Sequence, residues 1–162
     1  MRFVDPAEVR RWSRTTTKRF GWLPEAARAA LRRHWPAQLR MTKVLADSGV
    51  PLLAGTDANG AGWIVPGFAL HDEFDLLAAA GLSPLQILRA ATSAPAEFFG
   101  RADIAGRIAP GYDADLVLLH ADPMGDHRAL AAIRAVMRGG DLWERADLDR
   151  ALDRLAAEPR AR

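Results

Sequence analysis

One short motif in this sequence places a carboxylate where a catalytic site could use it. Asp57 ends the run Gly55-Thr56-Asp57, directly after the apolar residues 50–54. A short apolar run that is entered from a helix and left at a glycine is typical of a buried parallel strand. At the carboxyl end of a barrel strand, an aspartate can bind a divalent metal or accept a proton from water. Taken alone, the tetrapeptide Gly55-Thr56-Asp57-Ala58 is equally compatible with an aspartate that caps the next turn.

The other residues that commonly hold metals are sparse. The sequence has no cysteine, which excludes disulfides and thiolate sites. No two of its four histidines, His34, His71, His120 and His127, have the two-residue spacing of a paired metal-binding motif. His120 and His127 are expected at the surface, and His34 is expected to be solvated or to have a packing role. A catalytic zinc needs about three protein ligands and an open position. One carboxylate therefore does not make a metal centre.

Composition bounds the class of protein. At 162 residues, with 49% hydrophobic and 26% charged residues, the chain has the profile of a globular protein with a real core. No apolar run approaches the roughly 20 residues of a membrane-spanning helix. The N-terminus shows no apolar signal core before Asp5. These features predict a cytoplasmic protein without membrane partners.

Charge is distributed unevenly along the chain. Residues 1–49 carry eleven Lys or Arg against four Asp or Glu, whereas residues 50–162 carry eleven against sixteen. Aromatic residues such as Trp12 and Trp22 are interleaved in the basic segment, as they could be on a nucleic-acid-binding surface. No nucleic-acid motif accompanies them. A solvated helix face whose aromatics pack on the fold is the preferred interpretation.

The N-terminal elements are predicted to be helices. Pro6 can open a first helix, which should fade at the β-branched run of threonines at residues 15–17. A second helix should begin at Pro24, be kinked or interrupted by Pro36, and resume until Gly49. The buried strand is predicted over residues 50–54, although Pro51 is acceptable only near its start.

The rest of the chain is predicted to hold a site loop, helices and a small β region. The loop spans residues 55–69, and helices follow within residues 70–99, one of them with Ser83 as its N-cap. Residues 107–108 and the buried run 115–119 should be strands, followed by a hairpin over 133–144 that turns at Gly139-Gly140. An amphipathic helix and a frayed tail should end the chain.

Several motifs in order resemble the C-terminal part of the amidohydrolase superfamily, especially members similar to imidazolonepropionase and prolidase. The resemblance covers roughly residues 40–150. It rests on these segments: Val50-Pro51-Leu52-Leu53-Ala54-Gly55-Thr56-Asp57, Pro66-Gly67-Phe68-Ala69-Leu70-His71-Asp72-Glu73-Phe74, Ala80-Gly81-Leu82-Ser83-Pro84-Leu85-Gln86-Ile87-Leu88-Arg89-Ala90-Ala91-Thr92, Ala94-Pro95-Ala96, and the run from Gly106-Arg107-Ile108-Ala109-Pro110-Gly111 to Asp113-Ala114-Asp115-Leu116-Val117-Leu118-Leu119.

The resemblance implies an α/β fold: the last strand and flanking helices of a (β/α)8 TIM-like barrel within residues 1–103, part of a small β-sandwich within 104–146, and a helix and tail within 147–162. It implies that Asp57 contacts a divalent metal, zinc by family habit, and acts as general base. It also implies that His71 faces the substrate, although a local hydrogen bond of that histidine is the alternative. Asp113 and Asp115 would have structural roles between barrel and sandwich.

The resemblance further implies metal-dependent hydrolysis of a C–N bond in an amide, cyclic amide or dipeptide. The family's paired histidines, bridging lysine and further histidine ligands are missing, so the chain alone is expected to be inactive and not to retain the metal. The missing N-terminal half of the barrel, or a second copy of the chain, would be its partner. A non-catalytic remnant or interaction module is the alternative, and a nucleic-acid-binding protein is a more distant one.

Overall fold

In the computed structural model, which describes residues 2–58 and 62–157, two long helices precede a smaller mixed unit. Helix α1 spans Pro6–Phe20 and α2 spans Glu25–Asp47. Three shorter helices follow: α3 over Phe68–Ala79, α4 over Pro84–Ala91 and α5 over Ser93–Phe98. Strand β1 is Leu116–Leu119, a 3-10 helix is His127–Ala131, β2 is Ile133–Arg138, β3 is Asp141–Glu144, and α6 is Arg145–Ala157.

Both predicted breaks in the N-terminal helices are wrong. Helix α1 runs through the threonines at residues 15–17, since β-branched residues lower helix propensity by only a few tenths of a kcal/mol each. Its start is capped by Asp5, whose Oδ1 accepts a hydrogen bond of 2.6 Å from the Ala7 amide. Helix α2 contains Pro36 in its interior. The Ala, Leu and Arg residues on both sides of Pro36 are strong helix formers, and they outweigh the one lost backbone hydrogen bond.

The predicted strand over residues 50–54 is also wrong. These residues belong to neither a strand nor a helix, because no described segment lies beside them to complete a ladder. From Leu52 to Ala58 the burial still alternates with the period of two that a strand shows. Leu52 and Ala54 pack on the core, and the Ala54 amide donates to the Ala90 carbonyl at 2.9 Å. The segment is therefore held from one side only.

The core lies between α3 and α4. Its buried members are Phe74, Leu77, Leu82, Ile87 and Ala90. Ser83 starts α4 with a capping box: its hydroxyl accepts from the Gln86 amide at 3.3 Å, and the Gln86 side chain accepts from the Ser83 amide at 2.8 Å. The predicted N-cap is confirmed, and it fixes the entry of α4 into the core.

The β region is a three-stranded antiparallel sheet in the order β1-β2-β3. Strands β2 and β3 form the predicted hairpin, with Arg138 paired to Asp141. Its two-residue turn needs positive φ at both positions, and Gly139 and Gly140 have φ of 56° and 91°. Residues 107–108 are not a strand, and β1 is not buried as predicted, since Val117 and Leu118 are exposed.

The structure also bears on the expected structural roles of Asp115 and Asp113 and on two predicted irregular segments. Asp115 has the predicted structural role, because its Oδ1 accepts from the Gly139 amide at 2.7 Å and so ties β1 to the hairpin turn. Asp113 pairs with Arg101 at 3.0 Å. The frayed tail was predicted at residues 157–162, but Ala157 lies in α6. Residues 158–162, and residues 59–61 of the predicted site loop, lie outside the described residues.

Candidate functional site

Asp57 lies at the end of the irregular segment over residues 50–57, which includes the residues that were predicted to form a strand. The packing of Leu52 and Ala54 on the core fixes the direction of the chain as it reaches Gly55. The Asp57 side chain is exposed and its φ is +51°. A left-handed conformation is uncommon for a residue other than glycine, although aspartate adopts it more readily than most. The backbone therefore turns sharply at the candidate catalytic residue.

The described part of the loop after Asp57 is held by the first helix. The Trp63 indole Nε1 donates to the Thr16 hydroxyl at 2.9 Å, and the rings of Trp12 and Trp63 lie 5.9 Å apart at 56°. At the far end of the loop, Phe3 stacks on Phe68 with ring centroids 5.3 Å apart and 13° between the planes. Helix α1 and the residues before it therefore clamp the loop that carries Asp57.

Gly62 makes this clamp possible. A Cβ at that position would lie 3.0 Å from Cγ of Trp12 and 3.1 Å from its Cδ1. These distances are shorter than ordinary carbon–carbon contacts, so a side chain here would push the indole away from the loop. Glycine at this position therefore lets Trp12 approach the backbone without a shift of the indole.

His71 lies in the first part of α3, where the sequence placed it. Its ring meets Phe74 edge-on, with centroids 5.8 Å apart at 87°. Its Nδ1 is buried and has no hydrogen-bond partner within residues 2–58 and 62–157. The alternative of a local hydrogen bond at Nδ1 is thus not realised there. An unsatisfied buried nitrogen is a group that a ligand could satisfy.

Glu73 is a half-buried carboxylate that the sequence analysis did not single out. It lies one turn after buried Ala69 and one turn before buried Leu77, on the core side of α3. Burial raises the pKa of Glu73 above its usual value. Its helical spacing from Ala69 and Leu77 was the signal that could have revealed it.

The remaining histidines lie away from Asp57 in sequence, and one of them differs from expectation. His34 and His120 are exposed, as predicted. His127 was expected at the surface, but its side chain is only 19% exposed and its Nε2 lies 2.8 Å from Oδ1 of Asp75. Hydrogen bonds from Arg128 lower the pKa of the adjacent Asp126 to about 2. This group joins the 3-10 helix to α3, so His127 has a structural position.

No cluster of three or more His, Cys, Asp or Glu side chains suited to a metal ion occurs in the part of the chain that the structure describes. Within that same part, no hydrogen bond or ion pair joins Asp57 to His71. None of its helices is both long and apolar enough to cross a membrane. The described residues thus provide the exposed carboxylate of Asp57 and the unpartnered ring nitrogen of His71, but they do not fit a metal centre by themselves.

Known proteins resemble this chain over most of the described region. Ochratoxinase from Aspergillus niger is 31% identical over 101 residues, which are 60% of this chain and 20% of that enzyme. The crystal structure of a candidate prolidase from Bifidobacterium longum is 34% identical with a TM-score of 0.58, over 72% of this chain and 30% of the other. The structure of molinate hydrolase is 25% identical with a TM-score of 0.59, over 76% and 28%.

These relatives are much longer than the present chain, which spans between a fifth and about a third of their lengths. Amidohydrolase neighbours imply a fold that contains a TIM barrel, and the described residues of this chain form mixed helices and a three-stranded antiparallel sheet. The family model described as "Amidohydrolase family" matches residues 25–142, which include Asp57, His71 and the turn of the hairpin. The chain therefore belongs to the amidohydrolase family.

Proposed function

We propose that this protein takes part in the hydrolysis of an amide or peptide-like C–N bond in a small molecule, with Asp57 as the general base. The observation that carries the proposal is the position of Asp57, exposed at a left-handed turn where a core-anchored segment meets the clamped loop. Membership of the amidohydrolase family and the likeness to ochratoxinase support the reaction class.

The carboxylate would act twice in one turnover. It takes a proton from water as the water oxygen bonds to the carbonyl carbon, and it then gives that proton to the nitrogen as the C–N bond breaks. The products are a carboxylic acid and an amine. The buried, unpartnered Nδ1 of His71 is proposed to hydrogen-bond the substrate and so to orient it.

The resemblance implied a divalent metal, zinc by family habit. In this proposal, most of the ligands of such a metal would come from residues other than those described. Asp57 could supply one carboxylate ligand, whereas catalytic zinc takes about three. We expect the purified chain to retain far less than one zinc per molecule after dialysis, measured by atomic emission. One tightly bound zinc per chain, lost in Asp57→Ala, would contradict this. A non-catalytic role remains the alternative for the chain on its own.

Completion of the site by further polypeptide is part of the proposal. Along residues 51–57, only the Ala54 amide donates to another backbone carbonyl among the described residues. Exposed strand-like backbone invites pairing with a neighbouring strand, from the remainder of a barrel or from a second copy. Size-exclusion chromatography with light scattering should show self-association of the isolated chain. A compact monomer that binds no hydrophobic dye would oppose this part of the proposal.

The decisive experiment replaces Asp57 with asparagine in an assembly with the rest of the barrel, either fused or co-expressed. Asparagine keeps the shape but cannot accept the proton, so amide hydrolysis should fall by about 10²–10⁴-fold. The exposed Asp72 on α3 provides the matched control, because Asp72→Asn removes the same charge. Near-normal activity of Asp57→Asn would assign the base to another residue. Unfolding of Asp57→Asn would instead make Asp57 a structural residue.

A further inference from the structure

A cavity of about 390 Å³ lies between α1 and the site loop. This volume is within the range of about 300–1,000 Å³ typical of small-molecule sites. Ala58 forms part of its wall, and the Cα of Ala58 is about 3.8 Å from that of Asp57 across one peptide bond. A group in the cavity would therefore be close to the residue proposed as the base.

Seven of the ten residues that line the cavity are apolar, and the other three are charged. Besides Ala58, the apolar residues come from the N-terminal segment (Phe3 and Val4), from Trp12 on α1, and from the end of the site loop (Ile64, Val65 and Pro66). Trp12 is fixed from behind by its contact with Trp63 and its close approach to Gly62. The clamp thus holds an aromatic wall in place before any ligand arrives, which lowers the entropy lost on binding.

Three charged residues also line the cavity, but each has a local partner. Oε2 of Glu8 accepts from Nε of Arg11 at 3.0 Å and from a second guanidinium nitrogen. The Asp5 carboxylate caps α1 through the Ala7 amide. Because these charges are already compensated, the lining favours an uncharged ligand group over an ionised one.

We propose that this cavity is a recognition pocket for a neutral, apolar or aromatic side chain of the amide substrate, positioned by Trp12 and Trp63. The inference rests on the proposed hydrolysis at Asp57 for its biological meaning. Trp12 is its specificity-determining residue, since it forms the rigid aromatic wall. Glu8 sets the charge preference by neutralising Arg11.

The test measures binding without turnover. N-acetyl-L-phenylalaninamide, N-acetylglycinamide and N-acetyl-L-aspartic acid α-amide are titrated into the ¹⁵N-labelled full chain while the indole N–H resonances of Trp12 and Trp63 are followed. The phenylalanine probe should shift both resonances and bind at least about tenfold more tightly than the glycine probe. The aspartate probe should bind no better than the glycine probe.

Three variants locate the site. Trp12→Ala should weaken phenylalaninamide binding at least about tenfold, whereas Trp22→Ala should not, because Trp22 is 72% exposed and lines no part of the cavity. Val4→Trp should block binding by filling the cavity, and it does so without removing a wall, which covers the case that Trp12→Ala fails to fold. Equal binding of the phenylalanine and glycine probes, or equal weakening by Trp12→Ala and Trp22→Ala, would overturn the proposal.

A charge switch gives an independent check. Glu8→Ala should leave Arg11 without its partner inside the cavity, so the aspartate probe should gain several-fold in affinity while the phenylalanine probe changes little. An unchanged aspartate affinity would refute the assigned role of Glu8. Binding of the phenylalanine probe by a parent assembly, with Asp57 intact, that fails to hydrolyse amides would support the pocket and reject the proposed function. Normal hydrolysis of N-acetyl-L-phenylalaninamide in Trp12→Ala would do the reverse.

Discussion

The two long N-terminal helices and the shorter helices that follow them are packed in opposite ways. Neither α1 nor α2 contains a buried residue, although both are amphipathic and α2 exposes large apolar side chains such as Met41 and Val44. All the buried residues of the described chain lie between Ala69 and Ala135. The second region holds its own core, whereas the first contacts its surroundings mainly through part-buried side chains such as Trp12 and Ala46 and leaves Met41 and Val44 exposed.

This difference suggests separate roles: the second region stabilises the fold, and the first region contributes to the proposed ligand binding. Hydrophobic burial stabilises the region from α3 to the sheet, and Asp57 is tied to it through Leu52 and Ala54. Helix α1 contributes mainly through its contacts with the site loop, at Trp63 and Phe68. Substitutions in the first region should therefore affect ligand binding more than stability, and those in the second should do the opposite.

The largest effect on folding is expected at Ile87, which has no exposed surface. Ile87→Ala should lower the free energy of unfolding by about 2–5 kcal/mol, because it removes buried methylene groups and leaves a cavity. Val44 on α2 is 58% exposed, so Val44→Ala should change the free energy of unfolding by less than about 0.5 kcal/mol. Urea denaturation followed by circular dichroism measures both. Similar losses in the two variants would erase the distinction between the regions.

A smaller effect should follow from the loss of the α4 cap. Ser83→Ala removes the side-chain acceptor of the Gln86 amide and should cost about 1 kcal/mol. Ser13 on α1 is the matched control, since its hydroxyl only donates to the Val9 carbonyl within the helix. Ser13→Ala should be almost neutral in the same denaturation experiment. A larger loss from Ser13→Ala than from Ser83→Ala would show that α1 is more important to stability than its packing indicates.

The smallest expected effect on stability is at Glu73, where the size of the effect depends on pH. The folded-state pKa is raised from 4.5 by burial, so the ionised carboxylate disfavours the folded state once pH exceeds that raised value. Glu73→Gln should then be slightly more stable than the parent at pH 7, by less than the Ser83 effect. The advantage should shrink as pH falls through the raised pKa and vanish below about 4.5.

Thermal denaturation at several pH values measures the Glu73 difference, with exposed Asp72→Asn as the control. If Glu73→Gln were less stable than the parent at pH 7, the carboxylate would have a stabilising cationic partner and the assignment of burial as the dominant cause would be wrong.

Elements governed by local chemistry could be predicted from the sequence. The Ser83 cap and the Gly139-Gly140 turn depend on a few adjacent side chains and on backbone angles that only certain residues adopt. The chain's membership of the amidohydrolase family was also predictable, because several short segments occur in the order that the family shows.

Features that depend on distant neighbours could not be predicted in this way. A strand at residues 50–54 requires a second strand beside it, and none of the described residues provides one. The contact of Trp12 with Trp63 joins residues 51 positions apart, and neither tryptophan shows a local signal for it. The hydrogen bond between His127 and Asp75 was missed for the same reason.

The left-handed backbone at Asp57 has a consequence for how this position can change. Glycine would adopt a φ of +51° with less strain than aspartate, and relief of such strain is worth on the order of 1 kcal/mol. Selection for thermal stability alone would therefore favour glycine here, at the expense of the proton acceptor. A library of variants ranked by melting temperature should enrich Asp57→Gly, and one ranked by amide hydrolysis in the completed assembly should retain Asp57. An aspartate at position 57 would then be a trade-off in which some thermal stability is given up for the proposed activity.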